Sequence, residues 1–408
     1  MLTVNHSCRG ARQSVASGLL MCAALAALAL PIRAHAQFTG KASATGRFES
    51  NSNVFNLESG ATQPGTNAYL RSDTYYAYGA EFDGNYLLGL QQFFATANTT
   101  EYDYHHFTEL SHNEYKLDAG LNWKLGEPLD GKLEVTRTRY MVPFLDLSGS
   151  DLALSLATEQ RETGQIGLKL SSDWRVEGSA FTSKIDEPIP QAPNQQLTQS
   201  SGTMSLEYLG IGALTSGLTA GYLSGDYSGS SGTMNTTFSQ STAGFLADYK
   251  HNRTIFEGQV GYTQRVSASG GENTSGFTGL LEIKEQLTPK TGLTVKIDRA
   301  INNYVANSSS EIDSEAAAGI NWQATYKLAV SLSYAFTYRA FPQQGVNGYY
   351  QVDYQQYATM GINYQPLRWL LIRPYGNVQT RRSNYIGYDF NSTIFGVSIT
   401  ATTPATPR

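Results

Sequence analysis

Glu101, Asp103, His105, His106, Glu109 and His112 form the densest group of titratable side chains in a 408-residue chain that holds only six histidines. An Asp beside a His can draw a proton from water, and neighbouring imidazoles can share a metal ion, so hydrolysis or metal binding is the chemistry these residue types permit. Their spacing matches no metal-binding or triad pattern. Two Gly-rich stretches, GIGALTSG at 210–217 and SGDYSGSSG at 224–232, follow no buried parallel strand, which a phosphate-cradling loop requires. No catalytic residue, metal or cofactor is therefore expected. A hydrolase using His105 and His106 at an exposed rim ranks third among the possible functions.

The elements that would position such residues are strands. In NEYKLDAGLNWKLGEP, residues 113–128, Tyr115, Leu117, Ala119, Leu121 and Trp123 alternate with Lys116, Asp118, Gly120, Asn122 and Lys124. A period of two gives a strand whose two faces meet different media. The pattern recurs along the chain: Leu328, Val330, Leu332, Tyr334, Phe336 and Tyr338 alternate with small or polar residues, as do Ala358, Met360, Ile362 and Tyr364.

Residues 1–36 are read as a leader: Arg9 and Arg12 precede the apolar ASGLLMCAALAALALP, and Ala34-His35-Ala36 is an A-x-A cleavage pattern. Both cysteines, Cys8 and Cys22, lie within it, so the mature chain has no disulfide. The leader takes Arg9, Arg12 and Arg33 from 29 basic residues, leaving 26 against 34 acidic ones and a net charge of −8. That balance argues against nucleic acid or an anionic membrane surface as a partner. No later apolar run is long enough for a membrane helix, whereas 39 Gly, 26 Tyr and 15% charged residues suit strands that are apolar on one face only.

The connections fall into two classes. Eight short turns, near 84–90, 125–131, 171–173, 210–216, 250–253, 287–292, 324–327 and 365–368, alternate with nine long loops rich in Asn, Ser, Gly and Pro. This asymmetry predicts an all-β, antiparallel transmembrane outer-membrane β-barrel over residues 37–401, with about 18 strands and 16 as the alternative, short turns inside and long loops outside. Residues 402–408 are expected to form a disordered periplasmic tail. Trp123, Trp174, Trp322 and Trp369 all flank short turns and are assigned to a periplasmic aromatic girdle. Arg137, Arg139 and Arg299 fall on the lipid-side parity, which calls for a bulge or a shifted boundary.

The opposite parity gives the channel wall. Lys116, Asp118, Asn122, Glu177, Glu207 and Asp248 are candidate pore-lining residues, followed by Glu282, Glu315, Ser331, Ser333, Arg339 and Asn363. Mixed signs predict a hydrophilic conduit without strong ion selectivity, suited to a hydroxyl-rich solute. In the outward loops Tyr385, Tyr388 and Asp389 are candidate saccharide contacts, because aromatic faces stack on sugar C–H surfaces and carboxylates bind hydroxyls.

YQPLRWLLI, at 364–372, followed by QTRRSNYIGYDFNSTIFGVSI, at 379–399, resembles the closing hairpin of the EpsL family of outer-membrane β-barrels, associated with exopolysaccharide biosynthesis in exosortase-bearing bacteria. FESNSNVF at 48–55, RSDT at 71–74, LQQF at 90–93 and EYDYHHF at 101–107 are similar to the same family. The resemblance implies a barrel that provides a polar passage for an exopolysaccharide. Outer-membrane lipids, a polysaccharide or oligosaccharide and other secretion components would be its partners. The alternative is a general or solute-specific porin. The chain departs from the usual barrel ending: ATTPATPR follows a last strand of Phe395, Val397 and Ile399, with no terminal aromatic residue.

Overall fold

The computed structural model describes residues 37–60, 71–144, 153–188, 195–229, 236–268, 273–304, 309–344 and 350–404. The leader proposed for residues 1–36 lies outside them. The described chain forms 18 antiparallel strands in sequence order, and β1 (Gln37–Asn51) closes the ring by pairing with both β2 (Asp73–Leu88) and β18 (Phe390–Thr402). Closure gives every strand a partner on both sides, which is the condition for backbone to cross lipid.

The strands needed below are β3 (Gln91–Tyr104), β4 (His112–Leu125), β5 (Leu129–Met141), β6 (Leu156–Lys169), β7 (Trp174–Glu187) and β8 (Gln195–Ile211). Next come β9 (Leu214–Ser228), β10 (Thr236–His251), β11 (Thr254–Ser267), β12 (Thr274–Thr288) and β13 (Thr291–Tyr304). The last are β14 (Ser309–Thr325), β15 (Leu328–Gln344), β16 (Tyr350–Leu367) and β17 (Leu370–Ser383). Three of the two-residue connections use left-handed backbone, supplied by Gly89 and Gly212 and, at the β10–β11 turn, by Asn252 with φ of 51°.

Register assigns the faces, because directly paired residues share one. Leu117 pairs with Ala97 and Arg137, and Leu133, Val135, Leu218, Phe245, Val260, Leu332 and Phe395 are all exposed on the outer wall. This apolar exterior belongs in lipid. Three of the four tryptophans, Trp174, Trp322 and Trp369, are about half exposed at the short-turn end, and Trp123 covers Gly131 beside the β4–β5 turn. Quenching of tryptophan fluorescence should be stronger with lipids brominated near the headgroup than with lipids brominated at the chain ends; the reverse order would remove the girdle.

Two expectations change. The β4–β5 and β5–β6 ladders run without a register shift, and β12–β13 shifts only at Gln286/Thr288, so no bulge turns Arg137, Arg139 or Arg299 inward. They stand on the outer face, near the long-loop end, where a charge costs about 0–1 kcal/mol against about 2–4 at the midplane. The tail expected to be disordered from residue 402 is held further: Thr402 belongs to β18, and the Thr403 N–H donates to the Ala42 carbonyl at 2.8 Å.

Candidate functional site in the barrel lumen

The long-loop end is packed shut on one side. Tyr75, Tyr102 and Tyr104, inward-facing on β2 and β3, meet Val54 and Phe55 from the β1–β2 loop, Phe107 and Leu110 from the β3–β4 loop, and Val142 and Phe144 after β5. Leu110, on a short 3-10 turn (Thr108–Leu110), is fully buried, and the Phe55 ring meets Phe107 edge-on at 4.7 Å and a tilted Phe144 at 5.0 Å. Asn53 holds the first loop down, its amide donating to the Leu57 carbonyl at 2.8 Å and to the Asn391 carbonyl at 3.0 Å. On the far side, β12–β13 pairing stops at Gly279/Arg299 while β13–β14 pairing continues to Tyr304/Ser309. The freed hairpin crosses to β8–β11: Asn303 accepts from Arg265 at 2.7 Å and donates to Gln199 at 2.9 Å, and the Tyr227 hydroxyl donates to the Ser309 carbonyl at 2.8 Å.

Beneath the first cluster lies a polar hollow of about 570 Å³. Its centre is the buried Glu49 carboxylate, which accepts from the Tyr75 and Tyr375 hydroxyls and pairs with Arg47 Nε at 3.1 Å. Gly396 makes this approach possible: a Cβ there would lie 2.6 Å from the Tyr375 ring and 2.9 Å from Glu49. Arg47 also donates to the Tyr102 hydroxyl at 3.1 Å, and Tyr102 stacks on His112 at 4.8 Å. His112 Nδ1 donates to the Leu110 carbonyl at 2.6 Å, so one chain of contacts runs from wall to loop packing. Glu81, Tyr357, Asn377 and Arg373 also line the hollow, and among the described residues Arg373 has no ion-pair partner.

A second hollow, about 420 Å³, lies across the ring and gathers Glu177, Glu207, Asp248 and Glu257. Arg175 lies at its edge, bonded to Asp130 at 2.9 Å and Glu177 at 3.2 Å. The two hollows thus differ in charge: the second gathers four carboxylates, whereas the first holds Arg47 and Arg373 together with Glu49 and Glu81.

Register places all twelve predicted pore-lining residues inward, three of them, Glu177, Glu207 and Asp248, in the second hollow. Glu282 pairs with Lys284 at 2.7 Å, Glu315 with Lys296 at 3.3 Å, and Arg339 with Asp313 at 2.9 Å. Asn122 contacts Gln92 at 3.4 Å, Ser331 approaches the Gly361 carbonyl at 3.4 Å, Ser333 pairs with Gly319, and Asn363 with Ala329. Lys116 and Asp118 pair with Thr138 and Thr136.

The proposed saccharide contacts hold one another and their own loop. Asp389 accepts the Ser383 N–H at 2.7 Å and Arg382 at 3.3 Å, and the Tyr388 ring carries Arg381 at 5.0 Å and meets Tyr385 edge-on. These residues shape the last loop. Sequence reasoning missed Arg47, Glu49, Tyr75 and Arg373; the outward parity of Phe48 was the signal that Arg47 and Glu49 face the lumen.

The histidine-rich cluster disperses. Glu101 and Asp103 pair with the exposed Tyr78 and Tyr76 on the outer face, and His112 is buried inside. His105 and His106 instead meet Asp73, whose buried carboxylate accepts N–H groups from Thr74 at 2.7 Å, His106 at 3.0 Å and Phe107 at 2.9 Å, and contacts His106 Nδ1 at 3.0 Å. One ligand atom from each of the three side chains falls within 4.8 Å of the others. A metal there would compete with the amides that shape the loop.

No protein-family model and no curated protein matches the chain. Solved structures do. The FrpB iron transporter from Neisseria meningitidis, F3-3 variant, aligns with TM-score 0.50 and 11% identity over 85% of this chain and 62% of that one. The apoprotein form of its F5-1 variant gives 0.51 and 10% over 83% and 61%. Pseudomonas aeruginosa OpdK with vanillate gives 0.48 and 10% over 89% and 99%. The chain is an outer-membrane β-barrel. It spans about three fifths of the FrpB chains, and identities this low establish the fold alone.

Proposed function

We propose that the barrel is a passive outer-membrane channel for small polar solutes, exported with its leader cleaved after Ala36. The observation that carries this reading is the 570 Å³ hollow beneath the packed mouth, lined by four tyrosines, Asn377, the guanidiniums of Arg47 and Arg373 and the carboxylates of Glu49 and Glu81. Its volume falls within the range of small-molecule sites, about 300–1,000 Å³. Tyrosine faces suit a sugar-like or aromatic ring, and the free charge of Arg373 favours a carboxylate or phosphate on it. The mechanism involves no chemical step.

Planar-bilayer recording of the purified barrel tests the reading. Small-solute conductance is expected, and under a salt gradient Arg373→Glu shifts the reversal potential toward cation preference. An unchanged potential would remove Arg373 from the path.

Export of an exopolysaccharide is the second reading. Its support is the family resemblance, whose strings meet at the mouth: Phe55, Asp73 and Phe107 come from three of them. It ranks second because an extended polymer would have to displace Phe55, Phe107, Leu110 and Phe144. Deleting the gene separates the two. Lost solute uptake with normal polymer secretion supports the channel, and the opposite result supports export.

A further inference from the structure

Arg137 and Arg139 lie two residues apart on the lipid-side face of β5, directly above the exposed Leu133 and Val135. They follow Leu129, the first residue of the strand, by eight and ten positions. At about 3.3 Å per residue and a tilt near 45°, they stand roughly 19 and 23 Å above the periplasmic turns. The apolar band of such barrels is about 25 Å tall, so the pair sits at its upper edge, level with outer-leaflet headgroups.

Arg299 is an internal comparison, eight residues beyond Thr291 on its own strand. It satisfies itself on the wall, donating to the Phe277 carbonyl at 3.0 Å and to Ser314 Oγ at 2.6 Å. Arg137 and Arg139 do not: among the described residues neither has an ion pair or a side-chain hydrogen bond. Their flanking partners are Leu117 and Gln160 for Arg137, and Tyr115 and Thr158 for Arg139. The nearest acids on this face are engaged, Glu162 with Gln160 at 3.2 Å and Asp186 with Lys184 at 3.6 Å.

Two unpartnered guanidinium forks at one membrane level need an anion that the membrane itself supplies. We propose that Arg137 and Arg139 form a clamp for the phosphate of an outer-leaflet phosphorylated glycolipid, with its acyl chains lying along Leu133, Val135 and Leu117. Guanidinium geometry suits bidentate phosphate binding, and the low dielectric beside the acyl chains strengthens it.

The test is native mass spectrometry of the full barrel titrated with diphosphoryl lipid A, with chemically dephosphorylated lipid A, and with inorganic phosphate. Wild type should retain the diphosphoryl form only, and Arg137→Gln with Arg139→Gln should weaken retention by at least about tenfold. Heat modifiability on a gel verifies that each variant is folded. The milder Arg137→Lys with Arg139→Lys pair keeps the charge but loses the fork, and should fall between the two. Equal retention by wild type and the Gln or Lys variants would overturn the clamp. So would equal retention of the dephosphorylated lipid, or displacement of lipid A by inorganic phosphate alone.

Discussion

Glu49→Ala lowers the unfolding free energy of the barrel by about 3–5 kcal/mol, the range for breaking a buried, hydrogen-bonded ion pair on one side only. The side chain is 6% exposed, and three groups depend on it: Arg47 and the hydroxyls of Tyr75 and Tyr375. Alanine leaves a guanidinium and two phenols facing a small void, with Gly396 opposite offering no side chain to fill it. Glu49→Gln retains the shape and one acceptor oxygen, and should cost less, about 1–3 kcal/mol. Urea titration of the barrel in phosphatidylcholine vesicles, followed by tryptophan fluorescence, measures both. A Glu49→Ala loss below about 1 kcal/mol would mean that the pair behaves as a solvated surface bridge.

Phe55→Ala combined with Phe107→Ala opens the mouth and raises single-channel conductance several-fold. Each ring is buried in the loop cluster, and losing such a ring costs about 3–5 kcal/mol of packing. The cost falls on the loops, because neither residue belongs to the strand ladder that closes the wall. Local opening at little global cost is the expected behaviour of such a unit. Protease sensitivity confined to the outer loops should rise together with conductance. Unchanged conductance with sensitive loops would show that the aromatic cluster does not narrow the path.

The barrel itself was legible in the sequence because lipid imposes a two-residue period on every strand and a length asymmetry on the connections. Leu117, Leu133 and Leu332 face out, and Glu177, Glu207 and Asp248 face in, as parity predicts. Arg137 and Arg139 were also placed correctly by parity, and only the bulge invoked to explain them was wrong. The histidine-rich group, from which no site was expected, is spread over two strands and the loop between them, so its members face different ways. Asp103 points out and His112 in, while the true neighbour of His106 is Asp73, 33 residues earlier.

Taken alone, the sequence determined the fold class, a strand number of 16 to 18 and the facing of the wall, all consequences of local alternation. Tertiary structure decided what occupies the lumen. Phe55, Phe107 and Phe144 come from three separate loops, and Glu49 meets a tyrosine 326 residues away. Asn303 reaches β8 across the intervening strands only because its hairpin leaves the wall. Contacts between distant segments carry no periodicity, so they exist only once the ring has closed and brought its loops over one opening.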